Sequence, residues 1–444
     1  MKLNIPVKSA RDGQLSAERL VNCYAEAGEG RANVQVISVP GMRLATTTGG
    51  GSGRGLFVHN DKLYAVVGQM LYKIEENYSV TALGTVAGVG IAQGASSGLE
   101  LCVVSEGWGY IYDGSTLTQI TDSDFPAATS VTYLDGYFIF GDGTESFYIS
   151  ALYAGGSIDA LDFASAESNP DNIIRPFVDH RELLLFGTDT VETWVNTGDP
   201  DFPFERVAGG ITEKGIAGGN AVAKIDNTVF WLDNDGVVRR MANGYSPQRI
   251  STHEVERTIT SPENAECFAF VWQGHEFFVM SLPTITWIFD AATQLWHERK
   301  SFDETRWRAR GYAYCYGKHF VGDYENGNIY ELDDDVYTEG GDPLTSEFVF
   351  PVIHNEGDRF RLHKIMLDME VGEADAPEIR LDLSEDGSDW FTVGTQTLGD
   401  LGHRQARVVW RRLGQHRYLH LKFLISDPCK RALYNGYGEV SADK

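Results

Sequence analysis

A chain of 444 residues with 63 acidic against 37 basic side chains carries a formal charge of -26 at pH 7. That balance argues against a protein built to grip nucleic acid, because phosphate binding depends on Lys and Arg; solubility is its plainest use. Abundant glycine (48 residues), a 12% aromatic fraction and few apolar residues at helical spacing favour an all-β protein rich in turns over a helical one.

In chain order, the opening Met1-Lys2-Leu3-Asn4-Ile5-Pro6-Val7 lacks the apolar run of a signal peptide, and Lys8 and Arg11 come soon after. No later stretch is long and apolar enough for a membrane span, so folding in the cytoplasm is expected. Cys23, Cys102, Cys267, Cys315 and Cys429 are odd in number and far apart, with no Cys-x-x-Cys pair. They read as free or buried thiols, not as a disulfide frame or zinc site. Residues 1–52 look unlike the rest of the chain and are expected to form an N-terminal arm. This arm contains Leu20-Val21-Asn22-Cys23-Tyr24-Ala25-Glu26, then a short strand through Val34, Val36 and Ile37 that Pro40-Gly41 stops. A Gly/Thr/Ser-rich linker closes it.

From residue 53 one pattern returns: turn, buried strand, second turn, second strand ending in an aromatic. Its clearest copy runs from Trp231 through Asp233-Asn234-Asp235-Gly236 to Arg240. Asp-Gly between two β-rich runs marks a hairpin, because Gly takes the positive φ of a tight turn. Variants start at His59, Leu101, Leu134, Asp179, Trp272 and Tyr316, which makes seven units. Their spacing, roughly 37 to 48 residues, is that of a propeller blade. A sheet that cannot bury both faces alone must stack on neighbours. The expectation is a β-propeller of six or seven blades over residues 53–343, with a terminal strand available to complete a blade. A parallel β-helix needs a shorter coil, and a β-sandwich needs no fixed period.

Past Pro343 the pattern changes to long alternating strands with one apolar face, such as Arg361 to Val371 and Tyr418 to Phe423. Residues 344–444 are expected to form a C-terminal β-sandwich. Arg404, Arg407, Arg411, Arg412 and Arg417 cluster in it, which suits a partner bearing carboxylates or another subunit, or simply a basic outward face. Residues 1–43 hold six basic and four acidic side chains, and residues 351–444 hold thirteen and fifteen. The 18 basic and 44 acidic groups between them carry the whole excess.

Candidate chemistry is thin. Trp194, Trp231, Trp272, Trp287, Trp296 and Trp307 offer stacking platforms for sugars, but packing between blades is the commoner use. Asp233, Asn234 and Asp235 faintly resemble a calcium loop without its bidentate Glu, and turn chemistry explains them better. Ser384 to Trp390 resembles the Asp-box turn of sialidases, though one residue short and outside the propeller. Arg175, Arg181 and Arg206 are the arginines a sialidase-like site would draw on. No zinc-protease, nucleophile-elbow or phosphate-loop motif is present. No catalytic residue, metal or cofactor is assigned; a glycan-binding or sialidase-like propeller and a generic interaction scaffold stand as alternatives.

The opening around Leu20, Asn22, Tyr24 and Glu26, with its subsequent strand and Pro40-Gly41, resembles the start of the tail-hub or nozzle proteins of short-tailed bacteriophages, also called packaged-DNA stabilisation proteins. Trp410, Arg411, Arg412 and Gly414, with Tyr418 to Phe423 and Ser426-Asp427-Pro428, resemble the end of that family. The resemblance spans nearly the whole chain, and its motifs are structural. It implies a virion tail protein assembled in the bacterial host cytoplasm as a homohexameric ring below the portal–adaptor complex. Such a ring encloses the channel that DNA leaves by, helps retain the packaged genome, and docks the needle or plug and the tailspikes or fibres. DNA would pass without specific binding, and an acidic lumen would let it slide.

Overall fold

The computed structural model describes residues 2–9, 17–28, 32–166 and 171–442. Its repeating unit arises from turns that the local sequence encodes. In six places the first two strands of a unit join through a pair of residues that both have positive φ. These pairs are Asn60-Asp61, Asp135-Gly136, His180-Arg181, Asp226-Asn227, Gln273-Gly274 and Tyr316-Gly317. That backbone is the type I′ turn, whose twist matches the right-handed twist of the flanking strands.

Five four-stranded antiparallel meanders, at residues 53–85, 93–119, 130–165, 173–212 and 222–249, are each a sheet of their own. A sixth, at 266–299, is part of a ten-stranded sheet. The seventh has three strands, Ala309–Cys315, Lys318–Asp323 and Asn328–Asp333, and takes its fourth from Gly41–Thr47 near the other end of the chain. We number these units blades 1 to 7. Apolar clusters fill the joints between blades: Tyr64 and Tyr110 between blades 1 and 2, Phe147 and Trp194 between 3 and 4, Phe320 and Leu63 between 7 and 1. Trp231, Trp287 and Trp307 are fully buried there, and Trp194, Trp272 and Trp296 nearly so.

The C-terminal unit is a sandwich of two sheets over one core that includes Leu362, Ile379, Leu381, Leu421 and Phe423. One sheet runs Cys23–Ala27, Val34–Ser38, Ala432–Ala442, Phe360–Met369, Val408–Arg411. The other runs Arg19–Val21, Ser346–Val349, Tyr418–Ile425, Glu378–Ser384, Phe391–Thr397, and is continuous with blade 6, because Val21 pairs in parallel with Glu298. The residues read as an N-terminal arm therefore supply strands to both sheets of the sandwich and the closing strand of blade 7. The five cysteines are free thiols, all but Cys267 buried.

The closing strand enters through a tight gap. A Cβ on Gly41 would lie 2.1 Å from the Val336 carbonyl oxygen and 2.8 Å from that of Thr338. Both obstacles are backbone, so neither can turn aside. Gly41→Ala should lower the unfolding free energy by about 2–3 kcal/mol in urea titration; an unchanged midpoint would mean that blade 7 does not depend on this approach.

Candidate functional site

The residues that carry the family resemblance fall in two places. Leu20, Asn22, Tyr24, Glu26, Pro40 and Gly41 meet where propeller, sandwich and closing strand join. Trp410, Arg411, Arg412 and Gly414 lie on the far sheet of the sandwich.

At the joint, Asn22 separates two strands that enter different sheets, and its φ of 56° makes the break. Asparagine tolerates that left-handed backbone better than other residues with a Cβ. Its side-chain Nδ2 donates to the carbonyl oxygens of Lys300 (2.9 Å) and Thr345 (2.8 Å), and its Oδ1 accepts from the Lys300 N–H (3.0 Å). Its backbone N–H donates to the Glu298 carbonyl, and its own carbonyl accepts from Val39 N–H. The side chain and main chain of this one buried residue thus tie the exit of blade 6, the entry to the sandwich and the turn before the closing strand.

Neighbouring residues reinforce the tie. Arg19 forks onto both oxygens of Glu298 in blade 6 (2.8 and 2.7 Å) and reaches Glu347 in the sandwich (3.0 Å). Leu20 is fully buried in the sandwich core, opposite Phe348. Tyr24 points the other way, into the cluster between blades 6 and 7, edge-on to His275 (4.9 Å) and Phe277 (5.1 Å). Glu26 accepts from Gln35 and lies 3.7 Å from His275, whose Nδ1 pairs with Asp290 at 2.8 Å. The Pro40 carbonyl accepts from Arg299, a fully buried arginine lying 3.7 Å over the Trp307 ring and 3.7 Å from the buried Glu339.

On the sandwich, Trp410 is buried against Phe423 and donates from Nε1 to the Gly394 carbonyl (3.1 Å). Arg411 and Arg412 are exposed. Arg412 has a φ of 62° and Gly414 one of 96°, which bend the chain back so that Leu362 N–H donates to the Gly414 carbonyl. Arg361, Arg407, Arg411 and Arg412 all face solvent, and none has a carboxylate at ion-pair distance among the described residues.

The candidate catalytic features do not assemble. Arg175 lies on the innermost strand of blade 4, Arg181 at its exposed turn beside Asp135, and Arg206 on its outer strand, 3.7 Å from Glu192. The Asp-box-like turn is a self-contained fold element: Asp386 Oδ1 accepts from the N–H groups of Ser388 and Asp389. Those bonds, with the Ser384 and Ser388 hydroxyls, hold its carboxyl well below the usual carboxylate range. Asp233 Oδ1 likewise accepts from the N–H groups of Asp235 and Val237, and its Oδ2 from Arg239.

A family model for bacteriophage P22 Gp10, beta-propeller, matches residues 4–337, and one for bacteriophage P22 Gp10, beta-sandwich, matches residues 345–441. The chain belongs to the bacteriophage P22 Gp10 family. It is a phage tail structural protein of the nozzle or hub type found in podoviruses. Among solved structures it is similar to the computationally designed Ika8 protein, at 12% identity over 66% of this chain and 99% of that one, with a TM-score of 0.40. It is also similar to the Neurospora crassa Pan2 WD40 domain (8%, 64% and 89%, 0.44) and to PorZ of Porphyromonas gingivalis (13%, 78% and 46%, 0.40). No curated protein matches the chain. A structural role for the Gp10 family agrees with the dispersal of the three arginines.

Sequence reasoning picked out the joint residues by resemblance and missed Arg19, Arg299 and Glu339, whose partners include groups hundreds of residues away or on other elements. No local pattern marks them: Arg299 ends the mixed strand Leu295–Arg299 and Glu339 lies in a two-residue strand after Thr338.

Two outcomes test the joint. Asn22→Ala removes three side-chain hydrogen bonds and leaves half-buried backbone groups of Lys300 and Thr345 without that partner. A loss of about 3–5 kcal/mol is expected, and Asn22→Gly, which keeps the left-handed backbone, should recover only a small part of it. Chemical denaturation reads both.

The second concerns pH. Burial pushes His297 down to about 3 from its ordinary value of 6.5. The unfolded chain therefore takes up that proton first, so the stability contributed by neutral His297 is complete above 6.5 and lost as pH falls toward 3. His275 runs the other way, since its hydrogen bond to Asp290 raises it despite burial. Its share is complete below the ordinary value and lost as pH rises through the raised one. His297→Phe should flatten the acid-side fall in unfolding free energy between about pH 6 and pH 4; an unaltered slope would assign that fall to carboxylates.

Proposed function

We propose that this protein forms a ring of six copies beneath the portal–adaptor complex, enclosing the path by which DNA leaves the capsid. The ring retains the packaged genome and docks the needle or plug and the tailspikes or fibres. Membership of the Gp10 family carries this reading, and the charge layout supports it.

The propeller's own axis is a poor conduit for a duplex. Gln93 of blade 2 donates to Gly219 and Asn220 at the entry to blade 5, so side chains cross the axis. A DNA channel must then lie between copies. In this reading the exposed arginine edge of the sandwich, Arg361, Arg407, Arg411 and Arg412, meets the acidic propeller body of the next copy. A contact between two different surfaces of one chain repeats around a closed ring, and opposite charges steer and register it. The acidic excess of residues 44–350 also supplies a lumen along which phosphates slide without sticking.

Negative-stain imaging of the purified protein, alone and mixed with the portal–adaptor complex of the same phage, should show a six-membered ring coaxial with the portal channel. Monomers that ignore that complex would overturn the proposal. The Arg411→Glu, Arg412→Glu double variant should lose the ring while keeping its melting temperature, since both side chains are exposed.

A further inference from the structure

The innermost strands of blades 1, 2, 4, 5, 6 and 7 enclose a cavity of about 250 Å³ at the propeller axis. Its wall is basic within an otherwise acidic propeller. Arg54, Arg175 and Arg310 line it against one carboxylate, Glu266, in a chain of net charge -26.

Two of these arginines are spent on structure. Arg54 donates to the carbonyl oxygens of Gly90, Gly68, Val86 and Ala87, at 2.6 to 3.1 Å, and joins blades 1 and 2. Arg310 forks onto Glu266, which also takes Arg306 at 3.1 Å. Arg175 is different. Its Nε and Nη1 are buried without a hydrogen-bond partner, and no carboxylate lies at ion-pair distance among the described residues. Burial alone lowers its pKa to about 10, with no neighbouring charge to offset it.

A guanidinium with two of its three nitrogens withdrawn from water and no counter-charge is a costly group for a fold to hold. The backbone places it there by a specific device: the register of blade 4 shifts between Ile173 and Arg175, a β-bulge at Ile174. Bulges re-aim side chains and gather beside functional sites. Gln93 also lines the cavity, but as an acceptor: it bounds the site and would bond only a protonated oxygen of a ligand. Its Nε2 faces the Gly219 carbonyl (3.2 Å), which fixes the amide orientation, and its Oε1 is buried without a partner. Gly219 packs between the bulge and Gln93: a Cβ there would stand 3.7 Å from the Ile174 carbonyl and 4.0 Å from Gln93 Nε2.

We propose that the axial cavity is a binding site for a small oxyanion of the phosphate or carboxylate class, seated against the Arg175 guanidinium. The volume falls below the roughly 300 Å³ at which pockets for drug-sized molecules begin, so the ligand is an ion or a compact metabolite. Bound there, it would supply the counter-charge that Arg175 lacks and join the blades around the axis. The proposal stands apart from ring formation and does not rest on it.

The test uses the full-length protein at constant ionic strength, titrated with inorganic phosphate, with acetate, and with chloride as reference, following melting temperature. Phosphate or acetate should raise the melting temperature saturably above chloride, and whichever does so names the class. Arg175→Gln should abolish that rise without lowering the melting temperature in chloride, because it removes a charge that has no partner. Equal curves in all three salts, or the same rise in the variant, would overturn the proposal. Should the variant fail to fold, equilibrium dialysis of the unmodified protein against radiolabelled phosphate and acetate decides: about one site per chain supports it, and none refutes it.

Discussion

Three segments of the chain depend on one asparagine, through its side chain and its main chain. Asn22 bonds to Lys300 at the end of blade 6 and to Thr345 at the start of the sandwich, and its carbonyl holds Val39 just before the closing strand. Its left-handed backbone is what lets Arg19–Val21 pair with one sheet and Cys23–Ala27 with the other. Glycine would allow the bend without the bonds, and most other residues would allow neither. Propeller and sandwich are thereby built as one piece, since the sheet of blade 6 continues into the sandwich through Val21.

Charges surround this joint where apolar residues would pack more cheaply. Arg19 bridges Glu298 and Glu347, and Arg299 lies buried between Trp307, Glu339 and the Pro40 carbonyl. Buried ion pairs add little net stability, because desolvation offsets most of the attraction, yet removing one partner is costly. Their use here is to permit one arrangement of the two units: a strand that slipped or a blade that closed with the wrong partner would leave a bare charge in the interior.

That construction suits a tail component. A part that transmits load between neighbours must not hinge between its own domains, and the shared sheet removes the usual flexible linker. Outside the joint the two units differ in charge, with the acidic excess in the propeller and an unpaired arginine edge on the sandwich. The chain thus carries surfaces of opposite sign, as the proposed ring requires, while its net charge repels nucleic acid.

The sequence by itself determined what short-range physics controls. Pairs such as Asn60-Asp61 and Gln273-Gly274 can take positive φ, period-two alternation sets which face is buried, and together they specify the blades and the sandwich strands before any long-range contact forms. The uneven spacing of the repeat also has a local cause: the copies seen at Leu101 and Trp231 span the second and third strands of their blades, and the others the first and second. Only the tertiary structure decided where the first 50 residues belong. Residues 19–47 read as short, ordinary strands, and pairing Asn22 with Thr345, or Gly41 with Asp333, closes loops of some 300 residues that leave no periodic trace. Nor could spacing reveal that Arg54 and Arg310 would be satisfied while Arg175 would not. That depends on which carbonyls and carboxylates the ring of blades brings to the axis, a property of the closed propeller and of no single segment.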